Sequence, residues 1–250
     1  MFNEITIGPL TLHMYGLMIG LGFLAAYAMC YYRGKKMKME KSGDILYGIF
    51  WCAIIGGLVG TRLLYYIVEI PEIIKDPSIL WDFKNGYVVY GGIIGGILVS
   101  WLYCRIKKVS FIEYFDLVMP AVALAQGFGR IGCFFAGCCV GMRYQGPGSI
   151  RYLDNGAAGE YLFPVQLAET ILFLLAFLLL HRMAERKRNG IIPKSLLLYA
   201  ILKFVLDYLR YYEDRKIFSA NQWGCLLVAV SVLLYEAVRQ IKQRANNKVI

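Results

Sequence analysis

The chain has 250 residues, 58% of them hydrophobic, and a mean hydropathy of +0.53. Water-soluble domains are closer to half apolar, so this excess excludes an ordinary soluble fold and predicts an all-α integral membrane protein with about seven spans of ~20 residues. The net charge of +10 does not read as a nucleic-acid face, because most basic residues stand in clusters at 33–41, 105–108, 182–194 and 239–248, each abutting an apolar segment.

The first predicted span covers about 13–32 and ends in Arg33-Gly34-Lys35-Lys36. It lacks a basic leader and a small-residue cleavage site, so it reads as a retained span. Span two, about 44–68, carries Gly56, Gly57 and Gly60, small residues at a spacing that lets helix backbones pack closely. A polar loop with Pro71, Pro77 and Trp81 leads to span three, about 87–104, which opens on Gly91-Gly92 and Gly95-Gly96. Span four runs from about 111 through Pro120 into a stretch, 127–141, that places Arg130, Cys133, Cys138 and Cys139 among five glycines. These glycines are expected to bend the backbone and let a ligand approach it. The segment 141–163 is the longest non-hydrophobic one. Spans five, six and seven follow at about 164–180, 195–211 and 223–238.

Basic segments follow spans one, three, five and seven, which predicts an N-terminus outside and a C-terminus in the cytoplasm. The 127–141 stretch and a short extracytoplasmic segment, 141–163, then lie at the outer face. Without an internal repeat or a low-complexity tract, residues 1–250 read as a single integral membrane domain.

The ionisable residues within the spans, Arg62, Arg130, Lys203, Asp207 and Arg210, carry the functional signal, since charge at membrane depth is costly and usually paired. Lys203, Asp207 and Arg210 are spaced to share one helical face, so pairing within that helix accounts for them without a ligand. Arg62 and Arg130 have no acid three or four positions away. Snorkelling to the headgroups is one reading of them. The other is convergence on a phosphate, which the planar guanidinium grips with two parallel bonds. The phosphate at hand at an outer leaflet is a phospholipid headgroup. His13, Tyr15 and Tyr90 begin their spans at that face and read either as interfacial anchors or as groups that orient a headgroup or handle a proton.

The cysteines 133, 138 and 139 form a C-x4-C-C pattern with poor zinc spacing and no nearby histidine. Small-residue packing, a disulfide and a thiolate activated by Arg130 are all compatible with it. Cys30, Cys52, Cys104 and Cys225 lie in or beside apolar runs and read as small hydrophobes.

Gln126-Gly127-Phe128-Gly129-Arg130-Ile131-Gly132, followed by Gly137 and Gly141, resembles the signature of the prolipoprotein diacylglyceryl transferase family. His13-Met14-Tyr15-Gly16, Gly60-Thr61-Arg62-Leu63, Gly91-Gly92-Ile93-Ile94-Gly95, Pro164-Val165-Gln166-Leu167-Ala168-Glu169 and the helix from Lys203 through Asp207 to Arg210 resemble the family's other motifs in the same order. The resemblance implies a multi-pass enzyme of the bacterial plasma (inner) membrane. The family moves the diacylglyceryl group of phosphatidylglycerol onto the lipobox cysteine thiol of a prolipoprotein signal peptide. A thioether forms and glycerol 1-phosphate leaves, with no metal or cofactor.

Carried onto this chain, Arg130, Arg62 and Arg210 would hold the phosphate and stabilise the leaving group. Gln126, Gly141, Glu169, Lys203 and Asp207 would complete the lipid site among the membrane lipids. Tyr15 and Tyr90 would stand near the headgroup as candidate catalytic groups. The chain departs from the family pattern at Cys133 (for Asn), Cys138 (for Glu), Tyr90 (for His), Lys203 (for Arg) and Asp207 (for Glu), which suggests a divergent, cysteine-bearing branch. Lysine lacks the bidentate fork, and a neutral tyrosine is a much poorer base than histidine. The same donor with a different acceptor is therefore an open alternative. A small-anion or thiol transporter is another, and it would need a polar path to the cytoplasmic side.

Overall fold

A computed structural model of the chain describes residues 4–7, 10–39, 41–82, 86–151, 159–186, 190–212 and 217–247. Among the described residues the fold is all-α with two small hairpins. The helices are α1 (Met14–Lys36), α2 (Ser42–Val68), α3 (Ile70–Lys75), α4 (Val89–Ile106), α5 (Phe111–Ala136), α6 (Val165–Arg186), α7 (Ile191–Asp207) and α8 (Ala220–Asn247). Strands β1 (Glu4–Ile7) and β2 (Leu10–His13) pair antiparallel, as do β3 (Ile150–Arg151) and β4 (Tyr161–Leu162).

Six helices, α1, α2, α4, α5, α6 and α8, are long and apolar enough to cross a membrane. The seventh expected span is α7, which has 17 residues and reaches about 26 Å, slightly short of the hydrocarbon core. The surface is correspondingly apolar: Leu24, Leu58, Ile94, Leu175 and Leu227 are exposed on their helices, while Arg62, Asp116, Gln166, Glu169 and Asp207 are buried. Polar groups inside and leucines outside is the arrangement a lipid solvent favours.

The chain divides into two compact units, residues 27–115 and residues 1–26 with 116–250. In the first, the glycines of α2 and α4 pack backbone against backbone. A Cβ on Gly56 would meet Val99 Cβ at 2.9 Å, and one on Gly60 would meet Gly95 Cα at 3.0 Å. Close approach of this kind maximises van der Waals contact where lipid offers no hydrophobic drive for association.

In the second unit, Ala123 of α5, Phe173 and Ala176 of α6, and Leu198, Tyr199 and Leu202 of α7 form a core. Pro120 lies inside α5, where it cannot donate a backbone hydrogen bond. One turn earlier, the buried Asp116 caps α7 from a distance. Its Oδ2 accepts from the Gly190 N–H at 2.8 Å, and its Oδ1 from those of Ile191 and Ile192 at 3.0 and 2.8 Å. A carboxylate at a helix N-terminus satisfies orphan donors and opposes the positive end of the dipole. The next helix, α8, starts on a reciprocal Ser219/Gln222 box: Gln222 N–H donates to Ser219 Oγ (3.1 Å) and Ser219 N–H to Gln222 Oε1 (3.0 Å).

Candidate active site

The 127–141 stretch is helical further than its glycines suggested. Helix α5 continues to Ala136, and the first left-handed glycine is Gly137, with φ 66°. Gly127 and Gly132 are close-packing positions instead: a Cβ on Gly127 would meet Leu174 of α6 at 3.2 Å, and one on Gly132 would meet Tyr15 and Met18 of α1 at 3.3 and 3.2 Å. Tyr15 is thereby set beside the signature. Arg130 lies on the same helix and points to α6.

Glu169 is the centre of the site. It lies just over one turn into α6 and is 1% exposed. Arg130 Nε lies 2.7 Å from its Oε2 as a close ion pair rather than an aligned hydrogen bond. Arg210 Nη2 donates to Oε1 at 3.1 Å, and Lys203 Nζ stands 4.0 Å from Oε1 and over the Phe173 ring. Three cations from α5, α7 and the segment after α7 thus converge on one carboxylate.

Arg210 reaches Glu169 from outside a helix. Helix α7 ends at Asp207, so Lys203, Asp207 and Arg210 do not share one helical face. Arg210 instead forms an antiparallel bridge with Gly141, flanked by Met142 N–H to Leu209 O (2.8 Å) and Tyr211 N–H to Val140 O (3.1 Å). Gly141 is needed there because a Cβ would collide with the Phe163 carbonyl and meet that of Leu209 at 3.0 Å. Asp207 turns to other partners: Tyr212 Oη donates to its Oδ1 at 2.8 Å and Ser219 Oγ to its Oδ2 at 2.5 Å. It positions the chain between α7 and α8, and the acidic neighbour of Lys203 is Glu169.

Gln166 is fully buried on the Glu169 face of α6, and its Nε2 donates to the Cys138 carbonyl at 2.8 Å. Gln126 is exposed one turn before Arg130. Cys133 is buried, with Arg130 Nη1 3.9 Å from its sulfur, while Cys138 and Cys139 are exposed just past the helix. The three sulfurs lie within 4.8 Å of one another. Hydrogen bonds shared among the three thiols lower the pKa of Cys139 and raise that of Cys138.

Arg62 and Tyr90 belong to the 27–115 unit. Arg62 is buried and donates to Tyr66 Oη (2.8 Å), Asp82 O (2.6 Å) and Gly86 O (3.2 Å), while stacking over Tyr66 and Tyr87. Its guanidinium closes the loop between α3 and α4. Tyr90 is half exposed in the first turn of α4. His13 ends β2 and is exposed.

Sequence reasoning missed Asp116, Tyr212 and Ser219. An acid within an apolar run and the pattern Ser219-Ala220-Asn221-Gln222 were available signals for Asp116 and Ser219. The pairing of Tyr212 with Asp207 had none.

Apolar helices of membrane-spanning length, with a buried carboxylate that holds three cations from α5, α7 and the segment after α7, define a membrane protein with an excess of positive charge at that cluster. The family model described as prolipoprotein diacylglyceryl transferase matches residues 3–237. A phosphatidylglycerol–prolipoprotein diacylglyceryl transferase of Clostridium tetani is 40% identical over 205 residues, 80% of this chain and 82% of the relative. Two such proteins of Clostridium perfringens, numbered 2 and 1, are 35% and 30% identical and align with 94% and 82% of this chain and with 94% and 81% of their own lengths. The chain belongs to the prolipoprotein diacylglyceryl transferase family, whose members are multi-pass enzymes of the bacterial inner membrane.

Proposed function

We propose that this chain transfers the diacylglyceryl group of phosphatidylglycerol to the lipobox cysteine thiol of a prolipoprotein, with the Glu169 cluster as its phosphate site. The observation that carries this reading is the charge balance of the cluster. Three cations against one carboxylate leave two positive charges uncompensated in a largely buried place. The donor's phosphodiester carries one negative charge. When its bond to the diacylglyceryl carbon breaks, the leaving glycerol 1-phosphate develops a second, while the acceptor sulfur takes the carbon and its proton departs. Fixed cations that match the product charge stabilise the transition state more than the ground state.

Arg130 and Arg210 are the phosphate-binding and leaving-group residues, and Lys203 adds charge without a fork. Gly141 serves by letting the Arg210 bridge close, and Gln166 by holding the Cys138 carbonyl. Tyr15 stands at the headgroup side beside Gly132. The basic residues at the C-terminal ends of α1, α4, α6 and α8 support an outward-facing site.

The test uses membranes supplied with labelled phosphatidylglycerol and a lipobox peptide. Label appears on the peptide thiol with the unmodified chain, and Arg130→Ala abolishes transfer while the protein stays in the membrane. Unchanged transfer by Arg130→Ala overturns the phosphate role. The cysteines beside Arg130 favour a second reading, in which the donor is the same and the acceptor is not a lipobox thiol. Label on another product, with none on the peptide, selects it.

A further inference from the structure

A transferase that alkylates a thiol must first deprotonate it, and Tyr90 stands where the resembling family motif carries histidine. The fold places a different device beside the phosphate cations. Cys133, at the end of α5, and Cys138 and Cys139, in the loop after it, present three sulfurs within 4.8 Å of one another. The spacing along the chain looked poor for a metal. A tight reversal brings the sulfurs together: Gly137 and Cys139 both take left-handed backbone (φ 66° and 56°), and Cys138 N–H donates to Cys133 O at 3.1 Å. The Gln166 amide fixes the loop from α6. Cys133 is 7% exposed and forms the floor, while the other two thiols are open to the outside.

We propose that Cys133, Cys138 and Cys139 form a three-thiolate site for a soft divalent cation of the zinc class, with its fourth position open to the acceptor thiol. Three thiolates select such ions over hard ones. Zinc–sulfur bonds of about 2.3 Å put sulfurs about 4 Å apart, so each sulfur moves by less than an ångström. Three protein ligands with one open position is the arrangement of catalytic rather than structural zinc. Three thiolates around a divalent ion leave one net negative charge, and Arg130 Nη1 faces it 3.9 Å from Cys133 Sγ.

A thiol that coordinates such an ion loses its proton outright and stays nucleophilic. The balanced step is then simple. The acceptor thiol releases its proton to water on binding the ion, its sulfur attacks the diacylglyceryl carbon, and the carbon–oxygen bond breaks toward the phosphate held by Arg130 and Arg210. The thioether, a weak ligand, leaves the ion. No oxidant or reductant is consumed. Binding of the ion stands on the geometry alone; the acceptor role rests on the transferase reading and sets this cysteine-bearing chain apart from the metal-free chemistry that the family resemblance implies.

The experiment uses the full chain, purified in detergent under strictly reducing conditions, with cadmium as the probe. One equivalent binds with thiolate-to-cadmium charge-transfer absorption in the ultraviolet. Cys138→Ser and Cys139→Ser each weaken that binding at least tenfold, and Cys225→Ser, outside the cluster, leaves it unchanged. Cys133→Ser does the same as the first two, but because that residue is buried the exposed pair decides if the variant fails to fold. Absence of stoichiometric binding, or binding untouched by all three substitutions, overturns the site. The second arm strips metal with a chelator and follows peptide labelling: loss of transfer and its return on adding zinc are expected. Full transfer by metal-free protein overturns the acceptor role. Failure of the unmodified chain to transfer under every metal condition would instead count against the transferase reading, with cadmium binding still reporting on the site.

Discussion

Glu169 Oε1 accepts Arg210 Nη2 at 3.1 Å, joining the first turns of α6 to a residue just past the end of α7. Glu169 Oε2 holds Arg130 of α5 at 2.7 Å from the other side. One buried carboxylate therefore sets the separation of two guanidinium groups. Its role is positional: it orients the cations without itself attracting an anion.

Glu169→Gln keeps the shape of that side chain and removes its charge. A charge-assisted hydrogen bond contributes about 1.5–3 kcal/mol, so loss of the Arg210 bond together with the Arg130 ion pair should lower the transfer rate by about 10- to 100-fold. Labelled phosphatidylglycerol transfer in membranes measures it. A rate equal to that of the unmodified chain would show that the arginines hold their places without Glu169.

Gly141→Ala tests the bridge that carries Arg210. The added methyl meets the carbonyls of Phe163 and Leu209, so the strand segments must separate and Arg210 must withdraw from Glu169. Overpacking of this kind typically costs about 1–3 kcal/mol. Both a lower thermal midpoint in detergent and a loss of transfer comparable to that of Arg210→Ala are expected. A large loss of transfer with an unchanged midpoint would point to direct contact of Gly141 with substrate.

The sequence displayed the spans as long apolar runs, alternate ones ended by basic residues, and it displayed Arg130 as a charge in an apolar setting and Glu169 through the Pro164–Glu169 motif it shares with the family. It did not display which cation meets which carboxylate. Lys203, Asp207 and Arg210 have the spacing of a helical face, yet the helix stops at Asp207, where Tyr212 and Ser219 engage its carboxylate and Arg210 enters a bridge to Gly141. Such partners lie beyond the range of local periodicity. The same holds for the glycines of 127–132, whose helical packing against α6 and α1 depends on neighbours distant in sequence. For the cysteines, two left-handed residues made a cluster from a spacing that promised none.

Asp116 should matter for stability. It accepts three backbone N–H groups at the start of α7 while 4% exposed. Asp116→Ala leaves those donors unsatisfied, a loss of about 1–3 kcal/mol, and Asp116→Asn retains one acceptor oxygen and part of the stabilisation. Thermal unfolding in one detergent should rank unmodified chain, Asn variant and Ala variant in that order. An Asn variant no better than Ala would mean that charge opposite the helix dipole, rather than hydrogen bonding, dominates.

Arg62 makes its measurable prediction through the loop it closes. Its guanidinium donates to the carbonyls of Asp82 and Gly86 and lies 4.8 Å from the Tyr66 ring centroid, while Tyr66 Oη donates to Leu80 O at 2.8 Å. Arg62→Ala removes every one of the arginine's donors, while the Tyr66 bond and the Val88 N–H bond to Thr61 O (3.2 Å) remain. Limited proteolysis of membranes should then cut within 77–88 at least tenfold faster than in the unmodified chain. Arg62→Lys should fall between, because an ammonium can serve one or two carbonyls but has no fork to span them. If Arg62→Ala instead abolishes transfer while the loop stays as protease-resistant as before, Arg62 acts on substrate directly and the loop is secured by other contacts.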